Sequence, residues 1–180
     1  MTTMSQTNPP ADAATLNSQG MQALRAGSFA VAEQLFLQAA TLDPAASALW
    51  RNVATARRAQ ANDAGEIAAL DAAINADRRD FMAWLRKAET HQRCGDNALA
   101  LEAWQAVLQL AAQAGELPHD LAVVIEGGRS FVSQSMAQIA DTVEAEIAPL
   151  DTQFNETERR RTRAFIDRAM GRRLTYVNQC

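Results

Sequence analysis

Residues Phe81 to Leu110 read FMAWLRKAETHQRCGDNALALEAWQAVLQL, and this stretch decides the fold. Trp84, Ala88 and His91 share one face of a helix, Gly95 breaks it, and Ala100, Trp104 and Val107 share one face of a second. The pattern is not confined to this stretch. Phe36, Leu70 and Trp104 lie 34 residues apart in turn, and so do Ala39, Ala73 and Val107. Leu16, Trp50 and Trp84 make a third series at the same 34-residue step. A fixed period of this size marks stacked helical hairpins, each too small to bury its apolar face alone.

Working outward, the spacing predicts three units at 13–46, 47–80 and 81–114. In the first, Leu16, Gly20 and Ala23 line one helix face. Gly27 closes that helix, because glycine enters the left-handed region without steric cost. Ser28 is the expected cap of the next helix. Ala32, Phe36 and Ala39 point inward, and Pro44 ends the helix. Gly20 and Ala32 let the two helices approach closely, with Phe36 filling the space beyond. The second unit keeps Trp50, Val53, Ala54, Leu70 and Ala73 but departs at three places. Ala61 stands where a glycine turn is expected, Glu66 replaces a small contact residue, and Arg78 replaces the proline. Asn62 and Asp63 are expected to make the turn, with Asp63 and Glu66 forming a capping box.

These residues resemble the tetratricopeptide repeat family over Ala13 to Ala114. Gly20, Gly27, Ala32, Phe36, Ala39 and Pro44 all fall on the family pattern. The resemblance implies an all-α, right-handed superhelical solenoid of three helix pairs. It also implies a concave face, lined by the first helix of each pair, that holds an extended peptide or partner helix. Carried onto this chain, that lining is Asn17, Met21 and Leu24, then Arg51, Asn52, Thr55 and Arg58, then Met82, Arg86 and Glu89. Some family members grip a peptide's terminal carboxylate with five polar residues. Asn52 and Arg86 match that clamp, whereas Asn17, Met21 and Met82 do not. Arg51, Arg58 and Arg86 can still favour an acidic peptide, or serve only as exposed charges.

Beyond Gly115 the period is lost. Pro118 is expected at the start of a long helix covering much of 115–150. Leu121, Val124, Ile125, Phe131, Val132, Met136, Ile139, Val143 and Ile147 give it a wide apolar stripe. The pair Gly127 and Gly128 marks a bend or a close packing point, and the helix as a whole is expected to cap the open end of the repeats. Pro149 is expected to end it. Within 151–180, Asn155 and Glu158 suggest a capping box. A short helix follows, with Phe165, Ile166, Ala169 and Met170 inward and seven arginines between 159 and 173. That arginine cluster reads either as a site for an anion or as a solvated face paired with Asp141, Glu144 and Glu146. Leu174, Tyr176 and Val177 alternate as in a strand. The first 12 residues are polar, with Pro9 beside Pro10, and are expected to be disordered.

Composition narrows the function. The chain has 180 residues, a net charge of −4 and only two cysteines, Cys94 and Cys180. A mildly acidic chain whose arginine cluster lacks the aromatic interleaving needed for base stacking is not built to bind nucleic acid. The two cysteines have no metal-ligand spacing. His91 falls on an inward position of its helix and His119 stands beside Pro118, so neither belongs to a catalytic or metal-binding constellation. Gly127-Gly128 lacks the residues of a phosphate loop. No cofactor is expected, and no membrane segment or secretory signal is apparent. The expected location is therefore the cytoplasm.

Gly171-Arg172-Arg173-Leu174-Thr175-Tyr176, after a repeat region, a long helix and an arginine-rich helix, resembles the lead-in of bacterial aspartyl/asparaginyl β-hydroxylase-like proteins. That resemblance implies a non-catalytic region ahead of a 2-oxoglutarate-dependent oxygenase domain lying beyond Cys180. The readings are then three: a peptide-binding repeat module in front of such an enzyme, a stand-alone adaptor, or an oligomerisation module using the repeat ends or the Phe131 helix.

Overall fold

Helix ends in this chain are set by a few residues, and the periodic positions do the packing between them. The computed structural model describes residues 12–115 and 117–151, together with 160, 161, 164, 165, 167 and 168. The described residues contain seven helices and no strand. They divide into two units, one ending at Cys94 and the other starting at Gly95. The first holds α1 (Ala13–Arg25), α2 (Phe29–Leu42), α3 (Ser47–Ala59), α4 (Asp63–Ala76) and α5 (Phe81–Cys94). The second holds α6 (Asn97–Ala114) and α7 (His119–Asp151).

In the first unit the 34-residue period is a physical equivalence. Phe36 and Leu70 are both fully buried, each contributing on the order of 1.5–3 kcal/mol of burial. A Cβ built on Gly20 would lie 2.6 Å from the Phe36 ring, so the glycine is where α1 and α2 touch. Trp50 Nε1 donates to the Pro44 carbonyl at 3.0 Å, and Trp84 Nε1 donates to the Arg78 carbonyl at 3.0 Å. Donor and acceptor both advance by one period. Arg78 can therefore replace the proline, because what the site uses is the carbonyl that every residue carries.

The two helix-ending turns repeat in the same way. Gly27 N–H donates to Leu24 O and Ser28 N–H to Ala23 O, while Ala61 N–H donates to Arg58 O and Asn62 N–H to Arg57 O. Both are the left-handed C-terminal motif in which two successive N–H groups close back on the last turn. Gly27 has φ +75°, and Ala61 takes the same region at φ +55° without being glycine. The expected alternative turn at Asn62 and Asp63 is thus replaced by the ordinary one, built with a strained alanine.

Capping also differs from expectation. Ser28 sits at the start of α2, but its side chain makes no capping bond. Asn62 caps α4 instead of Asp63, its side chain accepting from Gly65 N–H at 2.9 Å. Glu66 takes no part in a capping box; its carboxylate is turned inward and is fully buried. Before α1, Asp12 accepts from Thr15 N–H at 2.7 Å, and hydrogen bonding from the Thr15 side chain first, then from its backbone, holds the Asp12 carboxyl below the usual range.

In the second unit Trp104 is buried on α6, and a Cβ at Gly128 of α7 would collide with its ring. Gly128 is therefore the close packing point that the glycine pair suggested. On α7, Ile125, Val132 and Met136 are buried, but Val124 and Ile139 are exposed, so the stripe is narrower than its apolar residues implied. Pro118 lies just before α7, where its carbonyl accepts from Ala122 N–H, and α7 continues two residues past Pro149. A proline near a helix end removes one donor without dissolving the turns before it. Of the arginine-rich stretch, Arg160, Arg161 and Arg168 are helical and exposed. Phe165, expected inward, is 66% exposed. The tail at 1–11, the 155–158 capping box, the other arginines and the strand-like run at 174–177 lie outside the described residues.

Candidate functional site

The face of interest is carried by α1, α3 and α5. A helix turns 3.6 residues at a time, so Arg51, Thr55 and Arg58 share one face of α3, and Met82, Arg86 and Glu89 share one face of α5. Asn17 and Met21 do the same on α1. Arg58 and Met82 are exposed, while Asn17, Met21, Arg51, Asn52, Thr55, Arg86 and Glu89 are half-buried.

These side chains are tied to one another across helices. Asn52 Nδ2 donates to Asn17 Oδ1 at 2.7 Å, joining α3 to α1. That bond leaves one amide donor group on Asn17 and one amide acceptor on Asn52. From α5, Arg86 Nη1 donates to the Arg51 carbonyl at 3.1 Å and to Thr55 Oγ1 at 2.8 Å. Thr55 in turn donates its hydroxyl proton to the Arg51 carbonyl at 2.9 Å. Arg86 Nη2 reaches Glu66 Oε1 of α4 at 3.3 Å. The other Glu66 oxygen accepts from Arg93 at 2.8 Å, and Arg93 also reaches Asp63 at 2.6 Å.

A second pair closes the other end. Arg51 Nε lies 2.9 Å from Asp80 Oδ2, and the Asp80 side chain is almost fully buried. The two atoms are within ion-pair reach but misaligned for a hydrogen bond, so charge rather than directed bonding holds them. Asp80 Oδ1 accepts from Ala83 N–H at 3.0 Å and thereby caps the start of α5.

The electrostatics follow from this wiring. Burial works against the Arg86 charge and lowers its pKa; Glu66 opposes that, and the nearby Arg58 and Arg51 push further down. Arg93 is raised, chiefly by its hydrogen bond to Asp63, and Asp63 is lowered chiefly by the same bond. Both retain their charges throughout the neutral range.

The three arginines therefore differ, and Arg51 and Arg86 are not the ordinary exposed charges of the second reading. Arg51 and Arg86 are committed to buried carboxylates within the protein, whereas Arg58 projects to solvent. Sequence reasoning missed Glu66, Asp80, Arg93 and Asp63 as a group. The available signal was Glu66 itself: a charge at a contact position requires counter-charges, and Arg86 and Arg93 lie two turns apart on the next first helix.

Elsewhere, His91 is buried in α5 and His119 is exposed at the start of α7. Among the described residues, no group of histidines, cysteines and carboxylates is arranged to hold a metal ion. No helix among them is long and apolar enough to cross a membrane.

Sequence comparison with family models and with curated proteins finds no match. Comparison of structures does. The fold is similar to the tetratricopeptide domain of Sgt2 from Aspergillus fumigatus, at TM-score 0.57 and 20% identity, over 68% of this chain and 80% of that one. It is similar to the first tetratricopeptide domain of Spaghetti (RPAP3) bound to the HSP90 peptide SRMEEVD, at TM-score 0.57 and 19% identity, over 70% and 94%. It is also similar to PcrH in complex with the chaperone-binding region of PopD, at TM-score 0.56 and 16% identity, over 68% and 90%. The chain has a tetratricopeptide-type fold.

Proposed function

We propose that this protein is a protein-interaction module whose α1/α3/α5 face holds an extended segment of a partner, and that the segment is acidic. The observation that carries the reading is the division of labour on that face. A wired lower layer of Arg86, Thr55, Arg51, Glu66 and Asp80 fixes the helices, while Arg58, Met82 and the Asn17–Asn52 amides remain accessible. A face preorganised in this way loses little entropy on binding. Amide groups can then meet a peptide backbone, methionines can pack against varied side chains, and an exposed guanidinium can take a carboxylate. Two of the structurally similar proteins were solved with a peptide or protein segment bound, which favours the same use here.

The test is an array of acidic, neutral and basic 12-residue peptides, probed with the wild-type chain and with Arg58→Glu. Acidic peptides should bind best, and Arg58→Glu should weaken them at least fivefold while leaving neutral peptides within twofold. Equal binding of all three classes by the wild type would reject the proposal.

A further inference from the structure

Arg86 reaches the peptide-facing side of α5, yet its guanidinium is already spoken for. One terminal nitrogen is shared between Thr55 Oγ1 and the Arg51 carbonyl, and the other faces Glu66. The geometry of a guanidinium favours carboxylates that meet two N–H groups side by side. Here both terminal nitrogens are engaged by the protein before any ligand arrives. Glu66 is fully buried, so its charge acts on Arg86 through protein rather than water.

The charges on this part of the molecule also balance in a particular way. Arg51 is matched by Asp80, and Arg86 and Arg93 are matched by Glu66 and Asp63. Arg58 lies outside these pairs, near enough to bear on both Arg86 and Asp63. Glu89, one turn beyond Arg86 on α5, adds negative charge at that end of the face. Of Arg51, Arg58 and Arg86, the charge that these pairs leave for a ligand is therefore that of Arg58.

We infer that Glu66 is a specificity-setting residue: by neutralising Arg86 from beneath the face, it confines recognition of a ligand carboxylate to Arg58. This rests on the peptide-binding reading above and deepens it. The preferred ligand carries a single acidic side chain at the Arg58 end, rather than a pair of carboxylates spanning Arg58 and Arg86. Glu66 acts through Arg86 and touches no ligand, so its role is one of positioning and charge.

The inference gives opposite expectations for two substitutions. Glu66→Gln keeps the size and one of the two acceptor oxygens but releases Arg86 from its counter-charge. It should raise affinity for peptides bearing two glutamates four residues apart by about tenfold, roughly the effect of one added charge-assisted contact. Arg86→Gln also loosens the layer beneath the face and can weaken every peptide, but it should leave the ratio of affinities for the one- and two-glutamate peptides within twofold of the wild type, because Arg86 reads neither.

The experiment is fluorescence polarisation with three amidated eight-residue peptides carrying no, one or two glutamates. It uses the full chain as wild type, Arg58→Glu, Glu66→Gln and Arg86→Gln, each first checked for helical circular dichroism. A gain by Glu66→Gln confined to the two-glutamate peptide supports the inference, as does an unchanged ratio between the one- and two-glutamate peptides in Arg86→Gln. A folded Glu66→Gln protein with no gain overturns it. So does a tenfold loss of the two-glutamate peptide relative to the one-glutamate peptide on Arg86→Gln, which remains decisive if Glu66→Gln does not fold. If the wild type prefers none of the glutamate peptides, or Arg58→Glu leaves that preference intact, the peptide-binding reading fails instead.

Discussion

The α1/α2 hairpin and the α3/α4 hairpin occupy the same backbone geometry and solve its central contact with opposite chemistry. At the position where α2 meets α1, Ala32 is fully buried; one period later Glu66 is fully buried at the corresponding place on α4. A methyl group there needs only space. A carboxylate there needs counter-charges, and Arg86 and Arg93 supply them from α5. The difference teaches that a helical repeat fixes where a side chain goes, not what it must be, provided a neighbouring helix carries the complement. It also means that the second hairpin depends on α5 in a way the first does not depend on α3, since Asn52 and Ala59 stand where Arg86 and Arg93 would be needed.

The strongest way to break this comparison is to put the second hairpin's charge into the first. Ala32→Glu would bury a carboxylate with Asn52 and Ala59 where its counter-charges would be needed, at a cost of about 3–5 kcal/mol. In a unit of this size that corresponds to a fall in melting temperature of roughly 15 °C or more. Adding Asn52→Arg and Ala59→Arg to the same protein should recover at least half of that loss. Thermal unfolding followed by circular dichroism measures both. An Ala32→Glu protein that melts like the wild type would mean that the site admits water, and the counter-charge argument for Glu66 would fall with it.

A finer exchange concerns the packing around the same contact. Gly20 faces Phe36 in the first hairpin; in the second, the equivalents are Ala54 and Leu70, both fully buried. The two pairs read as volume-matched alternatives: no Cβ opposite a ring, one Cβ opposite a shorter side chain. Gly20→Ala alone should cost roughly 1–3 kcal/mol, because its Cβ would collide with the fully buried Phe36 ring. Combining it with Phe36→Leu should be less harmful than the sum of the two changes, with a coupling of at least about 1 kcal/mol. Chemical denaturation of the two single variants and the double variant gives that coupling, and strict additivity would remove the idea of matched pairs.

Much of this was legible in the sequence, for a reason specific to repeats. Phe36, Leu70, Trp50 and Trp84 could be read as equivalent because identical contacts must recur when a hairpin is stacked on its copy. The recurring indole-to-carbonyl bonds of Trp50 and Trp84 are the physical form of that equivalence. What could not be read was pairing between charges distant in the chain. Glu66 followed Asp63 at capping-box spacing, and local spacing alone cannot tell a carboxylate that turns back to its own helix end from one that turns inward. The groove residues were legible as a face but not in their engagements, because hydrogen bonds such as Arg86 to the Arg51 carbonyl depend on helix–helix distance, which a single sequence does not carry. Phe165, Val124 and Ile139 show the converse limit, since an apolar residue at an inward-looking position is exposed when no neighbour covers it.

The smallest expected effect lies in the turns, where the two hairpins share hydrogen bonds but not residues. Ala61 holds a left-handed conformation at φ +55°, and Gly27 holds its counterpart at φ +75°. The strain on a residue with a Cβ is of order 1–2 kcal/mol in this region, while glycine costs about 0.5–1 kcal/mol more than alanine in backbone entropy on folding. The terms oppose one another, and strain is the larger. Ala61→Gly should therefore stabilise the protein by several tenths of a kcal/mol, and Gly27→Ala should destabilise it by a similar or somewhat larger amount. No atom crowds a Cβ at Gly27, so its penalty would report backbone strain free of packing. Denaturant midpoints for the two variants measure the pair. Shifts of opposite sign would make the two turns interchangeable except for the Cβ. A loss of stability in Ala61→Gly would mean that entropy outweighs strain and that the alanine is well suited to its site.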